Sequence, residues 1–275
     1  MVDRARVAIQ GEAGSFSHAA ALETHGPNVR LVPCATFVDL FRSVETGGAN
    51  SGIVPIENTL AGSVHENYDL LSAHALHVVG EAELRIRHCL IASPQTARAD
   101  VRRVASHPVA LAQCRRFFTT NPELVAVPAY DTAGSVRDLM AGKAEAEAAI
   151  ASRLAAELYG AAVLQEDLED NAENYTRFLV VTRDLVTPIL GEFTKTSLMF
   201  TLGNGPGTLH RALGAFAERG LNLTKIESRP LAGRPWEYLF YADVVDTPVS
   251  RIEEGIEALR AVAFGVRVLG TYPTR

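Results

Sequence analysis

Positive charge is what this 275-residue chain has too little of to bind nucleic acid: 26 Lys and Arg against 32 Asp and Glu leave a formal net charge of −6. Any anionic ligand must therefore be held by local donors rather than by a long-range field. Cysteine is scarce too, and the three present, Cys34, Cys89 and Cys114, are far apart and form no C-x-x-C pair. That argues against a disulfide framework or a zinc site and leaves buried thiols. No stretch approaches the apolar length of a membrane span, and Met1-Val-Asp-Arg-Ala-Arg-Val7 carries charges where a signal peptide would be apolar. The expectation is a cytoplasmic protein that engages neither membrane nor nucleic acid. G-x-S-x-G, H-E-x-x-H, Walker and dinucleotide-binding signatures are all missing, and the eight histidines make no ligand pattern.

What is present is a soluble globular composition, 47% apolar and 21% charged, on a chain long enough for two domains with proper cores. Short apolar runs alternate with segments of helical spacing. Residues 6–10 read as a strand that stops at Gly11-Glu-Ala-Gly14 and feeds a helix over residues 15–23, with Ser15 as its N-cap. Residues 29–34, 37–44, 52–56 and 64–73 continue the alternation. Two extended segments over 75–93, with Arg85, Arg87 and His88 between them, suit a crossover into a second set of units over 101–181. The class is α/β, with sheets covered on both faces. Residues 182–192, with Pro188 among them, read as a linker. Beyond it the order is βαββαβ over residues 196–269, which fits a small ferredoxin-like sheet with both helices on one face. The expected division is therefore 1–184 and 195–275, with crossovers between two lobes of the first part near residues 80 and 165.

Polar clusters recur just after strands, usually where a helix begins. Gly14-Ser-Phe-Ser17, Glu57-Asn-Thr59, Ser106-His-Pro108 and Asp131-Thr-Ala-Gly-Ser135 each suit a helix cap or turn. Each is also placed to offer free N–H groups to an anion at the carboxyl ends of strands in an open α/β sheet. A fifth cluster, Asn174-Tyr-Thr-Arg177, runs without a break into the strand-like Phe178-Leu-Val-Val181. Side chains alternate along a strand, so Thr176 and Arg177 reach one ligand only at an irregular strand end. In the C-terminal part, Gly203-Asn-Gly-Pro-Gly207 before a helix either serves as a turn or binds a carboxylate.

Taken together and in order, Gly11-Glu-Ala-Gly-Ser-Phe-Ser17, Gly52-Ile-Val-Pro-Ile-Glu-Asn58 with Gly62-Ser-Val-His-Glu-Asn-Tyr-Asp-Leu-Leu71, Ser106-His-Pro-Val-Ala-Leu-Ala-Gln-Cys114, Asp131-Thr-Ala-Gly134 and Asn174-Tyr-Thr-Arg-Phe178 resemble prephenate dehydratases. The C-terminal part resembles their ACT domain, chiefly through Leu221-Asn-Leu-Thr-Lys-Ile-Glu-Ser-Arg-Pro230. Two departures stand out: Thr59 replaces the usual serine after Glu-Asn, and Gly207-Thr-Leu-His210 replaces a Gly-Ala-Leu-Val-like helix start.

The resemblance implies a two-lobed catalytic domain like type 2 periplasmic binding proteins, a phenylalanine-sensing ACT domain, and no cofactor or metal. The implied reaction is decarboxylative dehydration of prephenate to phenylpyruvate. Arogenate dehydration and a non-catalytic sensor are the rivals. By position, Thr176, Arg177 and Glu57 are the catalytic candidates: Thr176 as donor to the leaving hydroxyl, Arg177 as carboxylate holder or brace, Glu57 as general acid or loop anchor. Ser15, Ser17, Asn58, Thr59, Ser106, Gln113, Thr132, Ala133, Gly134, Asn174 and Phe178 are expected to contact substrate. For the effector, Asn204, Gly207, Thr208, Leu209, Leu223, Glu227 and Ser228 are expected, at the seam of a homodimer or homotetramer formed through residues 195–272 because the small sheet leaves a face or edge uncovered.

Overall fold

The computed structural model describes residues 5–185, 194–231, 233–246 and 249–274. In chain order its elements are β1 (Arg6–Gln10), α1 (Phe16–His25), β2 (Arg30–Cys34), α2 (Phe37–Glu45), β3 (Ser51–Asn58), β4 (Gly62–Ser63), α3 (His65–Ala73), β5 (His77–Arg85) and β6 (Cys89–Ala92). There follow β7 (Arg103–Ser106), α4 (Pro108–Gln113), α5 (Arg115–Thr120), β8 (Val125–Pro128), α6 (Thr132–Met140), β9 (Ala148–Ala151), α7 (Arg153–Tyr159), β10 (Ala162–Gln165) and β11 (Tyr175–Thr182). The C-terminal module comprises β12 (Thr194–Thr201), α8 (Thr208–Ala217), β13 (Asn222–Pro230), β14 (Tyr238–Asp246), α9 (Val249–Arg260) and β15 (Phe264–Pro273).

These form three sheets. The first runs β2-β1-β3-β11-β5 with β4 paired to β3, the second β10-β6-β9-β7-β8, the third β13-β14-β12-β15. In the first two, parallel neighbours such as β1 with β2 and β3, or β7 with β8 and β9, are mixed with antiparallel ones such as β6 with β9 and β10. The expected α/β class of two lobes plus a ferredoxin-like module is what is found. In the module, the antiparallel order 2-3-1-4 follows from βαββαβ connectivity.

Burial on both faces explains the apolar strands of the second sheet. Leu90, Ala92, Ala148 and Ile150 meet Cys114, Phe117 and Leu124 on one face, while their strand neighbours Cys89, Ile91, Ala149 and Ala151 meet Ala133, Val136, Ala155 and Ala156 on the other. Successive side chains point to opposite faces, so continuous apolar runs are what such a sheet requires. The three cysteines are buried and unbridged.

The chain passes from the first sheet to the second at residues 86–88 and returns at 166–174. The first passage lies after residue 80, because β5 continues to Arg85. Of the expected linker, residues 186–193, Pro188 included, lie outside the described residues.

Two compact units result: Met1–Val64 with Ala82–Phe178, and His65–Glu81 with Leu179–Arg275. Helix α3 and the start of β5 thus pack with the C-terminal module. One face of the module's sheet is covered by α8 and α9, through Leu198, Phe200, Ala242 and Val244 against Phe216, Ile252 and Leu259. The opposite face meets α3: the Tyr241 hydroxyl donates to the Tyr68 carbonyl at 2.5 Å and the two rings lie 4.9 Å apart. Glu81 of β5 accepts from the buried Lys195 ammonium at 2.6 Å. Of the face or edge expected to be left for a second copy, the face is met by this chain's own α3, and among the described residues β13 and β15 are the outer strands of the sheet.

Candidate active site

A cavity of about 440 Å³ opens in the first unit, within the usual size of small-molecule sites. Its wall comes from the end of β1 (Gln10), the start of α1 (Ser15, Phe16, Ser17), β3 with β4 (Pro55, Asn58, Gly62, Ser63), the first sheet-to-sheet passage (Ile86, His88), α4 and its cap (His107, Val109, Gln113), the start of α6 (Tyr130, Asp131, Thr132) and β11 (Thr176, Phe178). No Lys or Arg lines it among the described residues. Neutral donors and the N-termini of α1 and α6 are what it offers an anion.

A tightly held loop, residues 11–14, leads into the lining residues 15–17. Gly11 and Gly14 have φ of +90° and +91°, and a Cβ on them would come to 2.6 Å from Asp131 Oδ2 and 2.8 Å from Ala155 Cα. Glycine is required there both for the backbone conformation and for the close approach. The same loop is gripped by Ser152, whose hydroxyl donates to the Gly14 carbonyl at 2.6 Å, by Tyr159 donating to the Ala13 carbonyl at 2.9 Å, and by Arg137 paired with Glu12 at 2.7 Å.

Strand β11 begins at Tyr175, ahead of Thr176, so alternation decides what it presents. Thr176 and Phe178 face the cavity. Arg177 faces away, buried, and pairs with Glu57 at 3.1 Å beside a separate hollow of about 150 Å³ that Glu83 and Tyr175 also line. This departs from a catalytic placement of Glu57 and Arg177 and accords with the other roles expected for them, loop anchor and brace, because consecutive side chains of a strand face opposite ways.

Behind Thr176 lies a chain of amides whose polarity is fixed from one end. Asn58 Oδ1 accepts from the backbone N–H groups of Leu60 and Ala61 at 3.0 and 2.8 Å, so its NH₂ must point the other way. That NH₂ donates to Asn174 Oδ1 at 2.7 Å and is shared between Thr176 Oγ1 and the Tyr175 carbonyl, each at 3.0 Å. With its oxygen so engaged, Asn174 turns its own NH₂ to Gln113 Oε1 at 3.1 Å. His88 Nε2 lies 2.9 Å from that same Gln113 oxygen. Thr176 Oγ1 thus acts as an acceptor toward Asn58, and its proton is left for the cavity.

His88 is 2% exposed, set edge-on to Phe16, with its backbone N–H held by Glu169 Oε2 at 2.9 Å and its carbonyl by Leu168 N–H at 3.0 Å. Burial lowers its pKa, against smaller opposing effects of the Gln113 hydrogen bond and the Glu169 charge. Asp131, the cap of α6, accepts from Gly134 N–H at 2.6 Å, and burial raises its pKa against that bond.

Of the expected substrate contacts, Ser15, Ser17, Asn58, Gln113, Thr132 and Phe178 line the cavity with Thr176. Others do not. The Thr59 hydroxyl is engaged by the Glu173 carbonyl and the Tyr175 N–H, at 2.7 and 3.0 Å. The fully buried Ser106 hydroxyl donates to the Ile150 carbonyl at 2.6 Å. Ala133 belongs to the core of the second sheet, and Gly134 makes room for the Tyr130 ring. Asn174 is fully buried and acts through Asn58 and Gln113. Residues 15–17 and 131–132 announced themselves as caps after strands. His88, Tyr130 and Ile86 carried no such signal, since each is a single residue brought in by the chain's passage between sheets or by a loop.

In the second unit, Asn204 lines a hollow of about 380 Å³ with Arg234, Trp236, Glu237 and Phe264. The other expected effector contacts are not gathered there. Leu209 is exposed, Leu223 packs against the module core, and the Thr208 hydroxyl donates to the Gly205 carbonyl next to the left-handed Gly207. Glu227 lies 3.4 Å from His65 and 3.5 Å from Lys225, and Ser228 pairs with Phe240 in the β13–β14 ladder.

A mixed α/β domain with a neutral-donor cavity, followed by a ferredoxin-like module, is the architecture of a small-molecule site with a second, appended module. The family model for prephenate dehydratase matches residues 7–185, and that for the ACT domain residues 196–264. The chain belongs to the prephenate dehydratase family, whose members are carbon–oxygen lyases. "Arogenate dehydratase/prephenate dehydratase 2, chloroplastic" from Arabidopsis thaliana is 42% identical over 98% of this chain and 73% of its own length. The structure of a prephenate dehydratase from Arthrobacter aurescens in complex with L-Phe superposes with a TM-score of 0.89 at 32% identity, covering 98% of this chain and 90% of that one. A structure titled as GqqA, a quorum quenching acylase, superposes with a TM-score of 0.88 at 35% identity over 98% of each chain. No helix among the described residues is long and apolar enough to cross a membrane.

Proposed function

We propose that this protein converts prephenate to phenylpyruvate, using Thr176 to assist departure of the ring hydroxyl. The observation that carries the reading is the Asn58–Thr176 hydrogen bond at 3.0 Å on a cavity-lining threonine, which gives the threonine oxygen a donor on its protein side and leaves its proton available to a ligand. In the reaction, the bond from the ring to its carboxylate breaks and CO₂ leaves. The released electron pair forms the new ring double bond, the C–O bond breaks, and the departing hydroxide becomes water on protonation. Aromaticity drives the step. Thr176 is too weak an acid to give up its proton, so its part is a hydrogen bond that strengthens as negative charge grows on the departing oxygen. Ser15, Ser17, Thr132 and Gln113 are proposed to hold the carboxylates and the keto group, with Phe178 under the ring.

Residues 1–184 are proposed as the catalytic part and 195–275 as the regulatory one, sensing L-phenylalanine. The Arthrobacter relative, solved with L-Phe, supports that effector. Helix α3 supports a route for the response: Asp69 is bound by both arms of Arg229 at 2.9 and 2.7 Å, and His65 sits beside Glu227. Its preceding residues, Ser63 and Val64, line the cavity. Pairing of copies through the outer strands β13 and β15, to a homodimer or homotetramer, and a cytoplasmic location complete the proposal.

The test is incubation of the purified protein with prephenate and with arogenate, reading phenylpyruvate against phenylalanine. Turnover of arogenate alone would transfer the reading to the activity named first for the Arabidopsis relative. Turnover of neither would leave a sensor.

A further inference from the structure

We infer that His88 is a positioning residue: as a neutral imidazole protonated at Nε2, it locks the Gln113 amide so that only N–H donors face the substrate. The inference rests on the dehydratase reading for its kinetic part alone, since the tautomer is a property of the free protein.

The argument follows the amide chain outward. Gln113 Oε1 already receives the Asn174 NH₂, whose orientation is dictated in turn by Asn58 and the backbone N–H groups of residues 60 and 61. Gln113 must therefore present its oxygen to His88, and the only ring nitrogen that can satisfy an acceptor is one carrying hydrogen. His88 Nε2, at 2.9 Å, is that nitrogen. The other nitrogen, Nδ1, is buried and has no hydrogen-bond partner among the described residues. A proton there would be left without an acceptor in an apolar wall, which disfavours both the imidazolium and the Nδ1–H tautomer. The backbone of His88 is itself pinned on both sides by residues 168 and 169, and the ring, 2% exposed and edge-on to Phe16, is enclosed where it meets Gln113.

The consequence lies on the far side of Gln113. Its oxygen carries two donors, and the group left to a residue that lines the cavity is the NH₂. A free glutamine amide offers either face, donor or acceptor, to a ligand. This one is committed before substrate arrives, so it recognises a carboxylate or keto oxygen and spends no binding energy on choosing an orientation. His88 contributes without touching the substrate. It also lies far in sequence from every motif of the site, on the three-residue passage between sheets.

The experiment has a spectroscopic arm and a kinetic arm. In ¹⁵N-labelled protein the His88 resonances should show Nε2 protonated and Nδ1 bare from pH 8 to 6. An Nδ1–H tautomer, or an imidazolium in that range, would overturn the lock whatever the enzyme does. Kinetically, His88→Phe keeps a ring against Phe16 and removes the donor. The KM for prephenate should rise about tenfold with kcat falling less than about threefold, because a lost ground-state contact raises KM. His88→Gln, which returns an N–H at similar reach, should recover most of that loss. Unchanged KM in folded His88→Phe, or equal losses in both variants, would overturn the inference. If the wild type turns over neither prephenate nor arogenate, the dehydratase reading and the kinetic arm fall together, and the tautomer measurement still decides the lock.

Discussion

Asn58 donates its side-chain amide to the hydroxyl oxygen of Thr176 at 3.0 Å, across 118 residues of sequence. A hydroxyl whose oxygen already accepts a hydrogen bond is a better donor, because the bonds of a chain polarise one another. Replacing Thr176 by Ala should therefore lower kcat by about 10²-fold or more while KM changes much less, the cost of a lost transition-state donor. Thr176→Ser should retain most of the turnover. Steady-state kinetics on prephenate checks both, and an alanine variant keeping over half of wild-type turnover would remove Thr176 from the mechanism.

Glu57 and Arg177 are predicted to act on stability rather than on chemistry. Arg177 is 9% exposed and Glu57 29% exposed in their ion pair, so the pair sits largely away from water and its loss is costly. Arg177→Met should cost about 1–3 kcal/mol in urea unfolding. Glu57→Gln should keep kcat within a few-fold. A fall of 10²-fold in kcat for Glu57→Gln with unchanged stability would restore the general-acid role.

Gly14 offers a sharper packing test. An alanine there meets a φ of +91° and the Ala155 backbone at 2.8 Å together, so Gly14→Ala should destabilise by about 2–4 kcal/mol. Because Gly14, held by Ser152, directly precedes the cavity-lining Ser15, Phe16 and Ser17, kcat/KM should fall as well. A variant with wild-type unfolding midpoint and kinetics would show that the loop is not held in this contact.

Much of the fold was legible because its signals are local. Ser15 caps its helix, as Ser at a strand-to-helix turn suggests, and the βαββαβ order of the C-terminal part is found with α8 and α9 at its two helical places. The division of the site was less legible. Thr176 and Arg177 are adjacent in one motif, and side-chain alternation along β11 sends them to different hollows. Thr59 and Ser106 look like ligand hydroxyls in sequence, yet each satisfies a backbone group that burial would otherwise strand. His88 and the attachment of α3 to the C-terminal module depend on contacts between distant segments, which no periodicity encodes.

Acid should weaken the fold through its histidines. Burial lowers the pKa of His88, His18 and His25, with the Gln113 bond opposing it at His88 and a backbone bond at His25. Folded pKa values below the unfolded value mean that the unfolded chain takes up protons first as pH falls. Their stability contribution is therefore present above about pH 6.5 and is lost as pH drops through the folded values. Urea midpoints should fall between pH 7 and 5, and His25→Gln should flatten the slope. A midpoint that is flat or rises over that interval would contradict the assignment.

The last prediction concerns α3, which packs with the C-terminal module. Tyr241 holds the Tyr68 carbonyl, Arg229 grips Asp69, and Arg267 donates to the carbonyls of His74 and Leu76 at 2.9 Å each. A chain ending at Thr182 loses all of these partners, so the helix should fray although every cavity-lining residue is retained. The shortened protein should melt well below the full chain and turn over prephenate slowly, with addition of the separate module not required for any chemical step. A milder change separates stability from regulation. Arg229→Met keeps the apolar stem that covers the sheet and removes the grip on Asp69. It should leave kcat near that of the wild type while reducing the inhibition that phenylalanine produces, because the effector's influence is proposed to pass from β13 to α3 and on to Val64. Full activity and wild-type melting in the shortened chain would show that α3 does not depend on the module, and undiminished inhibition in Arg229→Met would place the route elsewhere.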